Sequence, residues 1–143
     1  MPDFASPLGV LIRPRDKYGS GEWQAQRTSN NVGRPHMGID ILTYPGQPIL
    51  ASVGVKIVRA AKPYADDDTL SGIVLETMDQ IQIKILYCLP LSKPFGRFVP
   101  KGECVAIAQS LQDRYPGIGN HCHFEVWLHG ERVDPTPYFM ETA

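Results

Sequence analysis

Most features that would place this sequence in a specialised class are missing. No run within its 143 residues approaches the ~20 consecutive apolar residues that a membrane-spanning helix needs. No basic block is present: 14 Lys and Arg stand against 15 Asp and Glu, for a net charge of −1. That balance excludes nucleic acid and acidic membrane as partners. No Cys-x-x-Cys pair occurs, and Cys88, Cys104 and Cys122 are odd in number and widely scattered. A cysteine zinc site and a disulfide framework are therefore not expected. Each cysteine lies in an apolar, strand-like run and reads as a small buried hydrophobe, in keeping with a reducing compartment. The apolar stretch from Phe4 to Ile12 lacks a basic flank and is broken by Pro7, so it does not read as a signal peptide. The reading is cytoplasmic synthesis, with leaderless export or release by lysis. Asp66-Asp67-Asp68 lacks EF-hand spacing and reads as a solvated turn.

A sustained helical period is missing too, and so are internal repeats and linkers. What remains is a series of short strands separated by Gly and Pro. The fold class that follows is all-β (β-dominated), one compact antiparallel β-sheet or sandwich domain. Ile39-Asp40-Ile41-Leu42 leads into a Tyr44-Pro45-Gly46 turn, where Pro presets φ and Gly accepts a positive one. Strands are expected over residues 48–51 and 53–58, with Gly54 as a bulge or bend. A hairpin is expected from residues 72–76 and 81–88 around Met78-Asp79-Gln80, with Ile81, Ile83 and Ile85 on one face. Residues 104–108 form a further strand, and the proline-rich tail over residues 133–139 cannot carry a long helix. Residues 1–32 read as an N-terminal strand (residues 8–12) followed by a polar loop lining a groove, with Tyr18 and Trp23 as isolated aromatics. They belong to the same domain as residues 33–143.

The chemistry concentrates in Gly119-Asn120-His121-Cys122-His123-Phe124-Glu125-Val126-Trp127-Leu128. Side chains alternate along a strand, so His121, His123, Glu125 and Trp127 share one face. Cys122, Phe124, Val126 and Leu128 share the other, which is wholly apolar and reads as core. A second stretch, Arg34-Pro35-His36-Met37-Gly38-Ile39-Asp40-Ile41, offers another imidazole and a carboxylate. On an ideal strand His36 and Asp40 would stand roughly 13 Å apart, too far for one ion. Gly38 lets the backbone bend, with His36 coming from the loop and Asp40 from the strand start. His36, Asp40 and one of His121 or His123 then make a His₂Asp set. Three protein ligands with a free fourth position is the catalytic zinc arrangement. The leftover histidine is a general acid/base or an oxyanion stabiliser.

The order Gly-Arg-Pro-His-x-Gly-Ile-Asp-Ile, Pro-Gly-Gln-Pro-Ile-x-Ala, Gly-x-x-His-x-His-Phe-Glu-Val and Val-Asp-Pro-x-Pro-Tyr resembles the lysostaphin/LytM-type zinc endopeptidases over residues 33–139. The resemblance implies an antiparallel β domain with a zinc at the floor of a groove, cutting peptide cross-links in bacterial cell walls. It implies one Zn²⁺ held by His36, Asp40 and His123, with His121 as the catalytic histidine. Active members carry another catalytic histidine in a Tyr-x-His-Leu segment, and the matching Leu86-Tyr87-Cys88-Leu89-Pro90-Leu91 has none. Tyr87, with Tyr64 and Tyr115 as further candidates, is read as its replacement, because a phenol donates a hydrogen bond to an oxyanion. His129, beside Gly130, reads as an exposed turn residue. Lys62-Pro63-Tyr64, the same residues 86–91, Pro100-Lys101-Gly102-Glu103 and Tyr115-Pro116-Gly117-Ile118 resemble the leukocyte cell-derived chemotaxins, which share the fold and the triad, lack that histidine and signal rather than cut. Two functions follow: a cell-wall peptidase acting on peptidoglycan peptides, or a silent zinc-binding module that recognises a peptide or glycan, or signals.

Overall fold

Alternation in three strands fixes which way the sheet faces. Ile73 and Leu75, Ile83 and Ile85, and Cys122, Phe124 and Val126 are all buried on one side, as a period of two demands of a half-covered sheet. The structure is a computed structural model that describes residues 11–25, 35–91 and 95–139. Its elements run β1 (Ile39–Leu42), β2 (Pro48–Leu50), β3 (Val55–Ala61), β4 (Gly72–Thr77), β5 (Gln82–Leu86), β6 (Cys88–Pro90), β7 (Phe98–Val99), β8 (Cys104–Ala108), β9 (His121–Leu128), β10 (Glu131–Val133) and a single turn α1 (Thr136–Phe139). The expected residues 8–10 of an N-terminal strand lie outside the described residues, as do Gly33 and Arg34.

The larger sheet has the order β1-β9-β5-β4-β3-β7, with β10 also on β9, and the smaller sheet has the order β2-β8-β6. Every pairing is antiparallel. Ile49, Val105, Ala106 and Ala108 of the smaller sheet join Ile39, Ile41, Phe124 and Val126 of the larger in one core, so the domain is a two-layer β sandwich. Phe139 of α1 closes it, with its ring 5.1 Å from that of Phe124. A second cluster of Leu70, Leu111 and Ile118 is packed by Tyr18, Tyr64, Tyr87 and Tyr115.

The Tyr44-Pro45-Gly46 turn forms as read, with Gly46 at φ +88° and Gln47 N–H donating to Tyr44 O at 3.0 Å. The hairpin of β4 and β5 forms around residues 78–80. Gly54 forms the expected bend just before β3, whose register shifts between Ile57 and Arg59. Two local readings are corrected. The strand expected over residues 81–88 is broken at Tyr87 into β5 and β6. Cys104 is only partly buried, unlike Cys88 and Cys122. Asp66 to Asp68 form a surface turn, where Asp67 accepts from Thr69 N at 2.9 Å and pairs with Arg114 at 3.3 Å.

Candidate metal centre

The pairing of β1 with β9 sets Asp40 directly opposite His123 and Leu42 opposite His121. The chain bends at Gly38, just before β1. A Cβ there would lie 2.5 Å from Phe124 O and 2.6 Å from the His123 ring, so only glycine lets the two segments approach this closely. The bend returns His36 to its neighbours. His36 Nε2 stands 3.0 Å from His123 Nδ1 and 3.2 Å from Asp40 Oδ1, and His123 Nδ1 stands 3.0 Å from Asp40 Oδ1. Zinc bonds of about 2.0–2.1 Å in a tetrahedron need donor separations of about 3.3–3.4 Å. The three donor atoms thus fit one tetrahedral ion with little movement.

Surrounding acceptors orient each ring. His36 Nδ1–H donates to Glu22 O at 2.9 Å, which leaves Nε2 for the cluster. His123 Nε2–H donates to Glu125 Oε2 at 2.9 Å, and Glu125 Oε1 accepts from Trp127 Nε1–H at 2.9 Å. His121 Nδ1–H donates to Gly119 O at 2.7 Å, turning Nε2 towards Asp40 Oδ2 at 3.5 Å. Acceptors of this kind fix the tautomer and raise the basicity of a metal-ligating imidazole. Burial works to raise the Asp40 pKa, but the three imidazoles hold it well below the carboxylate range. Burial works against the His123 imidazolium, yet hydrogen bonds to Asp40 and Glu125 push its pKa to about 9. His121 moves the other way: burial lowers its pKa, and the opposing pull of Asp40 does not overcome it. The metal-free cluster therefore carries a proton on His123 and a neutral His121 at pH 7.

An N-terminal strap closes the cluster from the side. Ile12 bridges to Ile41, Arg13 N–H donates to Asp40 O at 2.8 Å, and Asp40 N–H donates to Gly21 O at 2.8 Å. Arg13 is only 2% exposed. Its Nε and Nη2 donate to Asp40 Oδ2 at 3.3 and 3.2 Å, while Nη1 donates to Gly19 O at 2.7 Å and pairs with Asp16 at 2.8 Å. Asp40 Oδ2 is thus taken by the strap, with His121 beside it, and Oδ1 faces His36 and His123. Because of this cover the histidine face is not an open surface: His121 is 3% exposed and His36 8%. Sequence reasoning assigned no role to Arg13, a lone arginine in a polar loop. It assigned none to Glu125 either, although alternation already set that residue on the histidine face. Trp23 packs against the main core and Tyr18 against the second cluster.

Tyr87 sits between β5 and β6 at φ +70°, with its ring edge-on to His121 at 5.5 Å. Its hydroxyl is 2.8 Å from that of Tyr64, which is 2.5 Å from that of Tyr115, and Arg114 lies 3.5 Å over the Tyr64 ring. Burial, with the neighbouring Tyr64, raises the Tyr87 pKa well above 10, so its phenol keeps its proton. His129 lies in the exposed β9–β10 turn at φ +50° and takes no part.

A sequence profile described as peptidase family M23 matches residues 34–135. The chain belongs to peptidase family M23. It is also 34% identical to leukocyte cell-derived chemotaxin-2 of Mus musculus, over 94% of this chain and 83% of that protein. A zinc-containing peptidase from Vibrio cholerae superposes with a TM-score of 0.65 at 24% identity, over 92% of this chain and 38% of that one. The antimicrobial peptidase lysostaphin from Staphylococcus simulans superposes at 0.69 and 19%, over 96% of this chain and 54% of that one. The M23 chain thus spans much less than two thirds of either solved structure, and at these identities the likeness is one of fold. As a member of the family the protein is metallopeptidase-like, and its M23 segment includes His36, Asp40, Tyr87, His121 and His123.

Proposed function

We propose that this protein is a zinc metallopeptidase of the M23 type acting on bacterial cell-wall peptides, with the metal held by His36, Asp40 and His123. The observation that carries the reading is the set of three donor atoms 3.0–3.2 Å apart, with His121 beside them as a third imidazole outside that set. Zinc at such a site supplies a Lewis acid and lowers the pKa of a bound water to about 7. The protein's own groups account for the rest. His121 is neutral at pH 7 and anchored through Nδ1, so Nε2 accepts a proton from the attacking water and returns it to the leaving amine. Tyr87 donates its phenolic proton to the developing oxyanion while its oxygen accepts from Tyr64. Arg13 restrains Asp40, and Glu125 restrains His123, so neither ligand needs reorganising.

The recognition or signalling module is the second reading, favoured by one specific observation. The chain is 34% identical to a chemotaxin along nearly its full length, and Leu89, in the register that matches Tyr87 to the family's tyrosine, stands where the cutting members are expected to carry a histidine. Losing one positioned acid/base typically removes about 10²–10⁴-fold in rate. Incubating the zinc-loaded protein with purified peptidoglycan and reading the products by mass spectrometry separates the two. Cleavage that disappears in His121→Ala, with zinc content unchanged, supports the peptidase. Zinc uptake without cleavage, in the wild type and in a variant with Leu89→His, supports the module.

A further inference from the structure

Beyond the metal cluster the outward face of the larger sheet continues in register. Asp40, His123 and Leu86 form one row. The next row is Glu125, Lys84, Val74 and Arg59, each directly opposite the one before. The row after that holds Arg132, Trp127, Gln82 and Glu76. Successive outward positions along a strand are about 6.6–6.8 Å apart, so the second row begins one step from the metal ligands. A cavity of about 210 Å³ opens across the second and third rows, lined by Arg59, Val74, Gln82, Lys84 and Trp127.

Its chemistry is one-sided. Val74 forms an apolar floor, and the Trp127 ring forms a wall held by its hydrogen bond to Glu125. Arg132 lies over the Trp127 ring at 5.2 Å. Two carboxylates stand nearby, and both are engaged: Glu125 with His123 and Trp127, and Glu76 with Gln82 Nε2 at 3.5 Å. Among the described residues neither Arg59 nor Lys84 closes an ion pair: Lys84 acts on the facing Glu125 through its charge without a hydrogen bond, and Arg59 donates to Ala60 O at 3.2 Å. Two cations therefore share a small recess with an aromatic wall, beside the place where a peptide would lie.

We propose that the recess between Arg59, Lys84 and Trp127 is a carboxylate-binding subsite, selecting peptides that carry an acidic group close to the segment lying over the metal cluster. This rests on the reading of the sheet face as a peptide groove. It specifies the peptide: an acidic side chain or a free C-terminal carboxylate seats between the two cations, and its aliphatic portion packs on Trp127.

Calorimetric titration of the zinc-loaded protein tests it with two peptide pairs. One pair is a blocked alanine peptide with an internal Glu, against the same peptide with Gln. The other is an acetylated alanine peptide with a free C-terminal carboxylate, against its amide. The acid of at least one pair is expected to bind roughly tenfold more tightly than its neutral partner, as two partly exposed ion pairs allow, and the pair that discriminates identifies the source of the carboxylate. Lys84→Met alone, and Lys84→Met with Arg59→Gln, should remove that preference while zinc content and the circular dichroism spectrum stay unchanged. Equal binding of acid and neutral peptides overturns the subsite. So does a preference that survives the double substitution, which would place the carboxylate on the metal. Acid preference without peptidoglycan cleavage leaves the subsite standing and overturns the peptidase reading; cleavage without acid preference does the reverse.

Discussion

On one side of His121 stands a charged cluster of Arg13, Asp40, His36, His123 and Glu125; on the other stand Tyr18, Tyr64, Tyr87 and Tyr115, with Arg114 over the Tyr64 and Tyr115 rings. Both are packed against the same strand, and both are threaded by hydrogen bonds. In the first, the bonds converge on a buried ion: Asp40 alone is approached by Arg13, His36, His121 and His123. In the second, the bonds run between neutral phenols, and burial together with the Tyr115 hydrogen bond pushes the Tyr64 pKa to about 12. The difference is one of consequence. Removing a partner from a buried ion leaves an uncompensated charge, whereas removing a phenol leaves an unsatisfied hydroxyl. Under the proposed function the first cluster holds a cation, and the second keeps a proton donor in place.

Arg13→Met gives the largest expected effect, because it leaves Asp40 Oδ2 buried without its cation. Removing one partner of a buried pair costs about 3–5 kcal/mol. Urea unfolding of the metal-free variant should show this loss, and zinc uptake should fall with it as Asp40 is freed to turn. A loss below about 1 kcal/mol would mean that the imidazoles alone neutralise Asp40, and the strap would then be a cover rather than a brace.

A smaller effect follows from the protonation of His123 in the metal-free protein. Its pKa in the fold is about 9 against an ordinary value of 6.5, so folding favours the imidazolium. That contribution is present in full below pH 6.5 and is lost as pH rises through 9, and it amounts to roughly 3 kcal/mol at most. Stability of the metal-free protein should therefore decline across this window, and Glu125→Gln should flatten the decline. In the proposed site zinc takes the place of that proton on His123, so with zinc bound the decline should vanish. A flat profile in the metal-free wild type would show that the ring is neutral, and that the charge on Asp40 is met by Arg13 alone.

The charged cluster was more legible in the sequence than the tyrosine one, for physical reasons. Strand alternation and antiparallel pairing are short-range rules, so the core face of β9 and the facing of β1 could be read from Cys122, Phe124, Val126, Ile39 and Ile41. The bend at Gly38 was legible because glycine tolerates an approach that a Cβ would block. Arg13 was not, since what buries it is the strap folding over β1, a long-range event that no local pattern in residues 13–25 announces. The same event explains why the histidine face is covered. The Tyr87 backbone was equally hidden: Leu86-Tyr87-Cys88 reads as uninterrupted strand, yet Tyr87 takes a positive φ that separates β5 from β6. Tyrosines far apart in sequence meet only because the loops over residues 64 and 115 converge on that break.

The smallest expected effect sharpens the contrast most. Tyr64→Phe removes the hydroxyl that joins Tyr87 to Tyr115 and keeps the ring beneath Arg114. A net hydrogen bond is worth about 0.5–1.5 kcal/mol, and two partly buried ones are lost here, so unfolding should show a loss near 1–2 kcal/mol. Zinc uptake should not change, because no atom of Tyr64 reaches the ligand set. The Tyr87 phenol should titrate lower than in the wild type, since Tyr64 is among the causes that raise it. It should still titrate above 10, because burial is the larger cause and remains. Ultraviolet difference spectra against pH, compared between Tyr64→Phe and Tyr64→Phe with Tyr87→Phe, isolate that one phenol. If Tyr64→Phe instead lowered zinc uptake as far as Arg13→Met does, the two clusters would be one coupled unit, and the division of labour across His121 would be wrong.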